Sequence, residues 1–351
     1  MGAIWFWLVA VLLVGYVVLD GFDIGVGILH LWIARDDAER RLAIRSIGPV
    51  WDGNEVWLIA AGGTLYFAFP ALYANGFSGF YLPLMMVLWL LILRGAALEF
   101  RSHVGGHIWP VLWDGCFALA SILLAVFYGA ALGNVVRGVP LDSAGRFFEP
   151  LWTDFRPRGQ TGILDWYTVL VGVAALAALA LHGAAWLAYK TAGELNERAL
   201  RCVKNLWWPV ALLTIAITVA TFRLERWLLE NFRRHTWGFF FPMLAMGGLA
   251  SEMWFACKKR EAAAFAASCA YIIGMLTSLT YSLFPNVLPS SASPNHAGLT
   301  IANARAADYG LKIGLVWWAI GMALAVGYTV FAYRSFAGKL TADTETDEEG
   351  Y

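Results

Sequence analysis

Two aspartates inside a long apolar segment are the residues of this sequence best placed to do chemistry. Asp20 and Asp23 stand three residues apart in DGFDIGVG, which puts them on one face of a helix. Asp23 lies about ten residues, or roughly 15 Å, from the end of that segment. Because an ionisable side chain at membrane depth is costly, we expect both carboxyls to face protein or water and to bind protons or a ligand.

A second group of polar residues opens the next apolar segment, WDGNEVWL. It contains Asp52 and Glu55, with Trp51 and Trp57 around them. Carboxyls near the surface that lead to a deeper carboxyl suit a proton path, since each can bind and release a proton through water. A structural role is also open for Asp52, whose oxygen could cap the free N–H groups at the start of a helix.

Arg94 lies at helix depth in RGAALEFR and needs a carboxylate partner there. Glu55 and Glu99 are the candidates at similar depth. The alternative to a functional role is a purely structural ion pair that locks two helices together. Gly21 and Gly25 are small residues four apart on one helix, and such a pair predicts the close approach of another backbone.

The histidines and cysteines predict no haem or metal site in this chain. A protein that ligates its own haems needs facing pairs of His, or His with Met, at matching depths. Only His182 lies near the interior of an apolar segment, and we expect it to be a hydrogen-bonded packing residue. The other histidines are His30, His103, His107, His235 and His296. The four cysteines are far apart without metal-ligand spacing, so we expect them to be apolar fillers.

The composition is that of a membrane protein. Hydrophobic residues make up 60% of the 351 residues and charged residues 14%, whereas soluble domains hold about a quarter charged residues. A formal net charge of zero gives no reason to expect a nucleic acid partner. About nine stretches are long and apolar enough to span a bilayer. They are residues 3–33, 52–74, 77–101, 111–136, 162–189, 205–228, 237–257, 263–284 and 308–336.

These segments predict an all-α polytopic membrane protein with a single transmembrane domain over residues 1–340. The acidic C-terminal tail, residues 341–351, has no apolar anchor and is expected to be disordered. The loops on one side carry more Lys and Arg than those on the other. This bias predicts an N-terminus outside and a C-terminus in the cytoplasm.

Several blocks of the sequence resemble subunit II of cytochrome bd-type quinol oxidases. They are DGFDIGVG, IGPVWDGNEVWLIAAGG, FSGFYLPL, RGAALEFR, LHGAAWLAYKTAGEL and LFPNVLPSS. The resemblance covers essentially the whole chain apart from the acidic tail. It implies two four-helix bundles plus one helix, in the cytoplasmic (inner) membrane of a bacterium.

The resemblance also implies an enzyme complex in which this chain is not active alone. Its partner, subunit I, would ligate haem b and the haem, of d or b type, at which oxygen is reduced. Subunit I would also carry the quinol-oxidising loop. Such a complex takes electrons from quinol and protons from the cytoplasm, reduces O₂ to water and builds proton-motive force without pumping. The preferred quinone and a small single-helix accessory subunit stay open.

For individual residues, the resemblance implies proton and oxygen access at the group Asp20, Asp23, Trp51, Asp52, Glu55 and Trp57. Some relatives have Gln at the place of Glu55. Arg94 and Glu99 match the motif of the third helix and are expected to form structural ion pairs.

Two other functions compete with this interpretation. A proton-coupled secondary transporter could carry its solute on Asp20 and Asp23, but it should show inverted repeats and broken helices near the midplane. The second half of the sequence has no counterpart of DGFDIGVG. A structural subunit or assembly factor, whose acids only pair across helices, is the third possibility.

Overall fold

The computed structural model describes residues 1–104, 106, 108–153, 155–156, 160–292 and 298–341. All of the predicted tail except Thr341 lies outside the described residues, as do His107 and His296.

The described chain is almost entirely helical. The helices are α1 (Gly2–Ile33), α2 (Asp37–Ile47), α3 (Trp51–Ala68), α4 (Pro70–Gly79), α5 (Tyr81–Phe100), α6 (Ile108–Arg137), α7 (Trp166–Lys190), α8 (Gly193–Leu224), α9 (Glu230–Arg234), α10 (Phe240–Cys257), α11 (Glu261–Leu283) and α12 (Asp308–Ser335). Two 3₁₀ turns, Arg226–Leu229 and Thr236–Phe239, flank α9. Eight helices are long and apolar enough to cross a membrane, or nine if α3 and α4 count as one bent span.

The second predicted span, 52–74, is broken in the structure. Helices α3 and α4 meet at Phe69 with a bend of 119°. Pro70 begins α4; its missing N–H and its steric effect on Phe69 prevent a continuous helix. The span predicted at 77–101 therefore begins at Tyr81. The helix predicted over residues 205–228 begins earlier, at Gly193, with a polar first part.

Helix α2 is a short amphipathic helix between the first two predicted spans. Asp36 caps it by accepting a hydrogen bond from the N–H of Glu39 at 2.9 Å. On its inner face, the helix buries its own residues Leu42, Ala43 and Ile47. The helix lies on the side of the molecule where α1 ends and α3 begins, which we call the α2 side.

The spanning helices form two groups of four. Helices α1, α3, α5 and α6 make the first bundle, in which α1 contacts both α3 and α6 while α5 packs on α6. Helices α7, α8, α10 and α11 make the second bundle. This arrangement confirms the predicted fold class of two four-helix bundles plus one helix, with α12 as the remaining helix.

Glycines bring the two bundles together at α1 and α7. A Cβ atom added to Gly25 would lie 2.1 Å from the carbonyl oxygen of Leu179, and one added to Gly183 would lie 2.2 Å from the backbone of Gly25. Only glycine permits such an approach at these two positions. The close contact predicted for Gly25 is therefore found, and the helix it meets is α7.

Helix α12 is anchored mainly at its two ends. Near its start, the indole of Trp5 donates to the carbonyl of Leu311 at 3.2 Å. After its end, the Lys190 ammonium donates to the carbonyl of Phe336 at 2.5 Å, and the N–H of Leu340 donates to the carbonyl of Lys190 at 2.8 Å. These contacts hold the segment after α12 against the end of α7 in the second bundle.

Candidate functional site

The buried acids of α1 lie beside the one arginine that reaches their depth in the first bundle. Asp20 is completely buried, and its Oδ1 accepts a hydrogen bond from Nη2 of Arg94 at 2.7 Å. The same Nη2 lies 3.7 Å from Oε2 of Glu55. One guanidinium from α5 therefore serves two carboxyls, one from α1 and one from α3.

Asp23 is held by an amide instead of a cation. Its Oδ2 accepts a hydrogen bond from the side-chain amide of Asn54 at 2.7 Å. The same amide donates to the carbonyl of Leu19 at 3.0 Å, and Oδ1 of Asn54 accepts from the hydroxyl of Tyr333 at 2.8 Å. Asn54 thus links α1, α3 and α12 around one carboxyl.

Several polar atoms of this acid cluster (Asp20, Asp23, Asn54, Glu55 and Arg94) lack a partner. They are Oδ2 of Asp20, Oδ1 of Asp23, and Nε and Nη1 of Arg94, all fully buried. Two carboxyls contact a single guanidinium and a third, Asp23, lies three residues from Asp20 on the same helix, and carboxylates that share a site cannot all stay ionised at low cost. The arrangement can therefore hold an exchangeable proton, with free oxygens available to receive it.

The acid cluster connects to the α2 side through α3. Asp52 is exposed in the first turn of α3, where a negative charge is favoured by the helix dipole. Glu55 follows three residues later and is 21% exposed. The alternative of Asp52 as an N-cap is wrong, because the helix begins at Trp51 and the N-cap residue is Val50.

The two tryptophans pack on either side of α3. The ring of Trp51 is buried and lies 3.5 Å from the position of a Cβ at Gly95, one residue after Arg94. The ring of Trp57 lies against Gly15 of α1, where an added Cβ would be only 2.8 Å away. Both rings therefore pack on helices that carry the acid cluster, Trp51 on α5 and Trp57 on α1.

Glu99 does not join the acid cluster. Five residues separate it from Arg94, and at 100° per residue they point about 140° apart on the helix. Glu99 is exposed, and within the described residues no ion pair joins it to Arg94. Arg94 instead pairs with Asp20, which was not among the expected partners, and with Glu55, which was.

Comparison with known proteins identifies the family. The profile of the family described as cytochrome bd terminal oxidase subunit II matches residues 1–336. The chain is 30% identical over 376 residues to the cytochrome bd-I ubiquinol oxidase subunit 2 of Escherichia coli K12, covering 97% of this chain and 95% of that protein. It is 31% identical over 342 residues to the cytochrome bd ubiquinol oxidase subunit 2 of Bacillus subtilis, covering 96% of each. This chain belongs to the cytochrome bd terminal oxidase subunit II family.

The fold agrees with this membership. A chain in the structure of the bd oxidase from Geobacillus thermodenitrificans matches with a TM-score of 0.74 at 19% identity, over 95% of this chain and 98% of that one. As a member of the subunit II family, the protein is a multi-pass membrane component of a haem-containing oxidoreductase complex.

His182 of this subunit II has no ring nitrogen free to ligate a haem. Both ring nitrogens of His182 are engaged, Nδ1 with the hydroxyl of Ser268 at 2.7 Å and Nε2 with the carbonyl of Val18 at 3.0 Å. This confirms that His182 is a hydrogen-bonded packing residue. Nε2 of His30 is 2.6 Å from a carboxylate oxygen of Asp114. No group of His, Cys, Asp and Glu side chains among the described residues could hold a metal ion.

A second ionic cluster of this subunit, centred on Asp114 at the α2 side, was missed from the sequence. Arg101 donates to its two oxygens from Nε at 2.5 Å and from Nη2 at 3.1 Å, and Arg40 lies 3.3 Å away. Nη2 of Arg101 also donates to Asp37 at 2.8 Å. Burial raises the pKa of Asp37, but Arg101 and Arg41 outweigh this and hold it below its usual value. The cluster ties α1, α2, α5 and α6 together.

Two further polar groups, one of tyrosines and one around Arg137, could not be found from local sequence. The hydroxyls of Tyr16 and Tyr128 are 2.9 Å apart, one turn along α1 from Asp20. On the opposite side, Arg137 forms an ion pair with Asp165 and lies 3.4 Å from Glu149. The partners come from distant helices or loops, so only the tertiary structure pairs them.

Proposed function

We propose that this chain is subunit II of a quinol oxidase complex in the bacterial inner membrane, and that its acid cluster takes up protons for the reduction of O₂ to water. The observation that carries the proposal is a buried set of three carboxyls with one guanidinium, which reaches the molecular surface through Glu55 and Asp52. Its free oxygens can accept a proton within an otherwise apolar bundle.

The proton path would begin on the α2 side. Lys258, Lys259 and Arg260 follow α10 on this side, in keeping with a cytoplasmic location and an N-terminus outside. A proton would bind first to exposed Asp52, pass through water to Glu55, and then reach Asp20 beside Arg94. Asp23, three residues nearer the α2 side than Asp20 on α1, would act as a second acceptor, oriented by Asn54 and Tyr333.

Arg94 would keep the carboxyls of this path ionised between proton transfers and would bind water beside them. Its charge favours ionised Asp20 and Glu55 between proton transfers, because an unpaired carboxylate is costly in a low-dielectric interior. Its unsatisfied Nε and Nη1 groups are suited to bind the water that a proton transfer requires.

Oxygen access would use the apolar wall next to this path. Trp51 and Trp57 present aromatic surface on two sides of α3. O₂ is an apolar molecule, so it favours apolar surfaces of this kind over water. We propose that these rings border the oxygen route, whereas the carboxyls border the proton route.

Electron transfer would be the work of a partner, subunit I, in a heterodimer. The sequence predicts no facing pair of haem ligands in this chain, and both ring nitrogens of His182 are engaged, so haem b and the oxygen-reducing haem, of d or b type, would be ligated by subunit I. Quinol would also be oxidised there. The proton uptake would be electrogenic without pumping, since a chemical proton taken from the cytoplasm is consumed by oxygen reduction.

The transporter hypothesis is less well supported by the geometry. Its acids would need a broken helix near them. The bent junction at Phe69 lies 14 residues beyond Glu55 along α3, which is about 21 Å at 1.5 Å per residue. Asp20 and Asp23 themselves lie on α1, which is continuous from Gly2 to Ile33.

The replacement Asp23→Asn tests the proposal. It removes the proton-binding group but keeps the hydrogen-bonding shape, and we expect quinol-driven O₂ consumption to fall at least about tenfold. The complex, purified through this chain, should keep its full haem content in a reduced-minus-oxidised spectrum. The matched control is Glu194→Gln, an acid that is 82% exposed, which should behave as wild type.

Two outcomes would count against the proposal. Unchanged turnover of the Asp23→Asn complex at full haem content would remove the proton role of the acid cluster. Haem bands in this chain expressed alone would show that the redox centres do not depend on subunit I.

A further inference from the structure

Within the part of the chain that the structure describes, one acid of the second bundle has neither a hydrogen-bond partner nor contact with solvent. Glu252 of α10 is 0% exposed, and both of its carboxyl oxygens lack a hydrogen-bond partner. None of the ion pairs among the described residues includes it. The acid cluster on α1 has a guanidinium and an amide, so Glu252 differs from it in having no compensating group.

The position of Glu252 is set by close packing of α10 on α11. One turn earlier, a Cβ at Gly248 would lie 2.5 Å from the backbone nitrogen of Tyr271 and 2.9 Å from the carbonyl of Ala267. Three residues earlier, the carbonyl of Leu249 accepts a hydrogen bond from the indole of Trp207 of α8 at 2.6 Å. Residues three and four apart share a helix face, so Glu252 points into the junction of α8, α10 and α11.

The surroundings of the carboxyl are neutral. Cys269 and Tyr271 of α11 are near enough to interact electrostatically with it, and neither carries a charge at neutral pH in such a setting. The hydroxyl of Tyr271 is 2.6 Å from that of Thr214, so it is already engaged with α8. Glu252 lies five residues before Cys257, about 8 Å from the α2-side end of its helix.

We propose that Glu252 is a proton-binding site of the second bundle, a carboxylic acid that keeps its proton inside a junction closed to water. An ionised carboxylate would need a cation or several hydrogen-bond donors at this place, and the described residues supply neither. The ligand is a single proton on one carboxyl oxygen. This site is separate from the acid cluster on α1 and does not depend on the function proposed for that cluster.

The site has a chemical consequence that can be measured. Carbodiimides react with protonated carboxyls: the acid adds across one C=N bond, and the product keeps the whole mass of the reagent. In the intact complex, the closed junction should protect Glu252 from such reagents. A charged, water-soluble carbodiimide should leave Glu252 unmodified but should modify Glu194, which is 82% exposed.

Infrared spectroscopy of the purified complex provides the deciding measurement, because the carbonyl band of a protonated carboxylic acid is distinct from carboxylate bands. We expect this band in wild type and its loss in Glu252→Gln, with no loss in the matched control Glu194→Gln. Glu252→Leu serves as a second variant, since a site for a neutral acid accepts an apolar side chain of similar size.

The proposal is overturned if neither Glu252 variant loses the carboxylic acid band. It is also overturned if the water-soluble reagent modifies Glu252, because the junction would then be open to water. Both readings are independent of oxidase activity, so a failure here is distinguishable from a failure of the proton path on α1.

Discussion

Nη2 of Arg94 lies 2.7 Å from Oδ1 of Asp20, and both residues are completely buried. This ion pair joins α5 to α1 across the centre of the first bundle. It also explains how a long apolar helix tolerates Asp20, because a buried carboxylate with a guanidinium partner escapes most of the penalty that an isolated one carries. Glu55 shares the same cation at 3.7 Å.

The replacement Arg94→Leu should reduce the amount of assembled complex. It leaves Asp20 without its partner, and breaking a buried ion pair in this way costs about 3–5 kcal/mol. The measurement is the yield of haem-bearing complex purified through this chain. The double variant Asp20→Asn with Arg94→Leu should recover much of the yield, since no unpaired charge is then buried. Glu99→Gln is the control, because Glu99 is exposed. Normal yield of Arg94→Leu would contradict the importance of the pair.

The replacement Gly25→Ala should destabilise the contact between the two bundles. The new methyl group would lie 2.1 Å from the carbonyl oxygen of Leu179, so α1 and α7 must move apart. Overpacking of this kind costs about 1–3 kcal/mol, and it should lower the midpoint of thermal unfolding of the complex. Gly115→Ala is the matched control, because nothing lies within 4 Å of a Cβ there. Equal unfolding temperatures for the two variants would argue against the close approach.

Glu149 should make the protein less stable as pH rises. Burial raises the pKa of Glu149 above its usual 4.5, with Arg137 opposing the shift only in part. The folded state then holds the proton more tightly than the unfolded state. This contribution to stability is full below pH 4.5 and is lost as pH rises through the higher pKa of the folded protein. Glu149→Gln should remove that part of the pH dependence.

Thermal unfolding of wild type and Glu149→Gln across this pH range provides the measurement. Asp142 in the same loop is the control, because backbone hydrogen bonds from Arg146 and Ala144 hold its pKa below the usual value. Its contribution is lost only as pH falls, so Asp142→Asn should keep the wild-type slope above pH 4.5. Identical slopes for wild type and Glu149→Gln would contradict a buried, proton-retaining Glu149.

Local sequence was sufficient for the features that depend on neighbouring residues along the chain. Apolar length marks each spanning helix, since a bilayer imposes it. The spacing of Asp20 and Asp23 places them on one face because of the helix period. Gly25 predicted a close helix contact because it lies four residues from Gly21 and therefore on the same helix face. The bend at Phe69 could also have been predicted, because Pro70 breaks the helix, but the continuous apolar run led to the prediction of one unbroken span.

The partners of the buried charges were decided by tertiary structure alone. Arg94 could be judged to need a carboxylate, and Glu55 and Glu99 were the candidates. Glu55 lies 3.7 Å from it, but the nearer partner is Asp20, which sequence distance could not indicate because it carries no information about which helices touch. Asp114 appeared in the sequence as one acid near a helix start, whereas packing of α1, α2 and α5 around it gathers His30, Arg40 and Arg101. Glu252 shows the opposite case, because the packing of α8, α10 and α11 closes around it without supplying a partner. Periodicity and composition act along one helix, but an ion pair or its absence depends on side chains from several helices meeting at one depth.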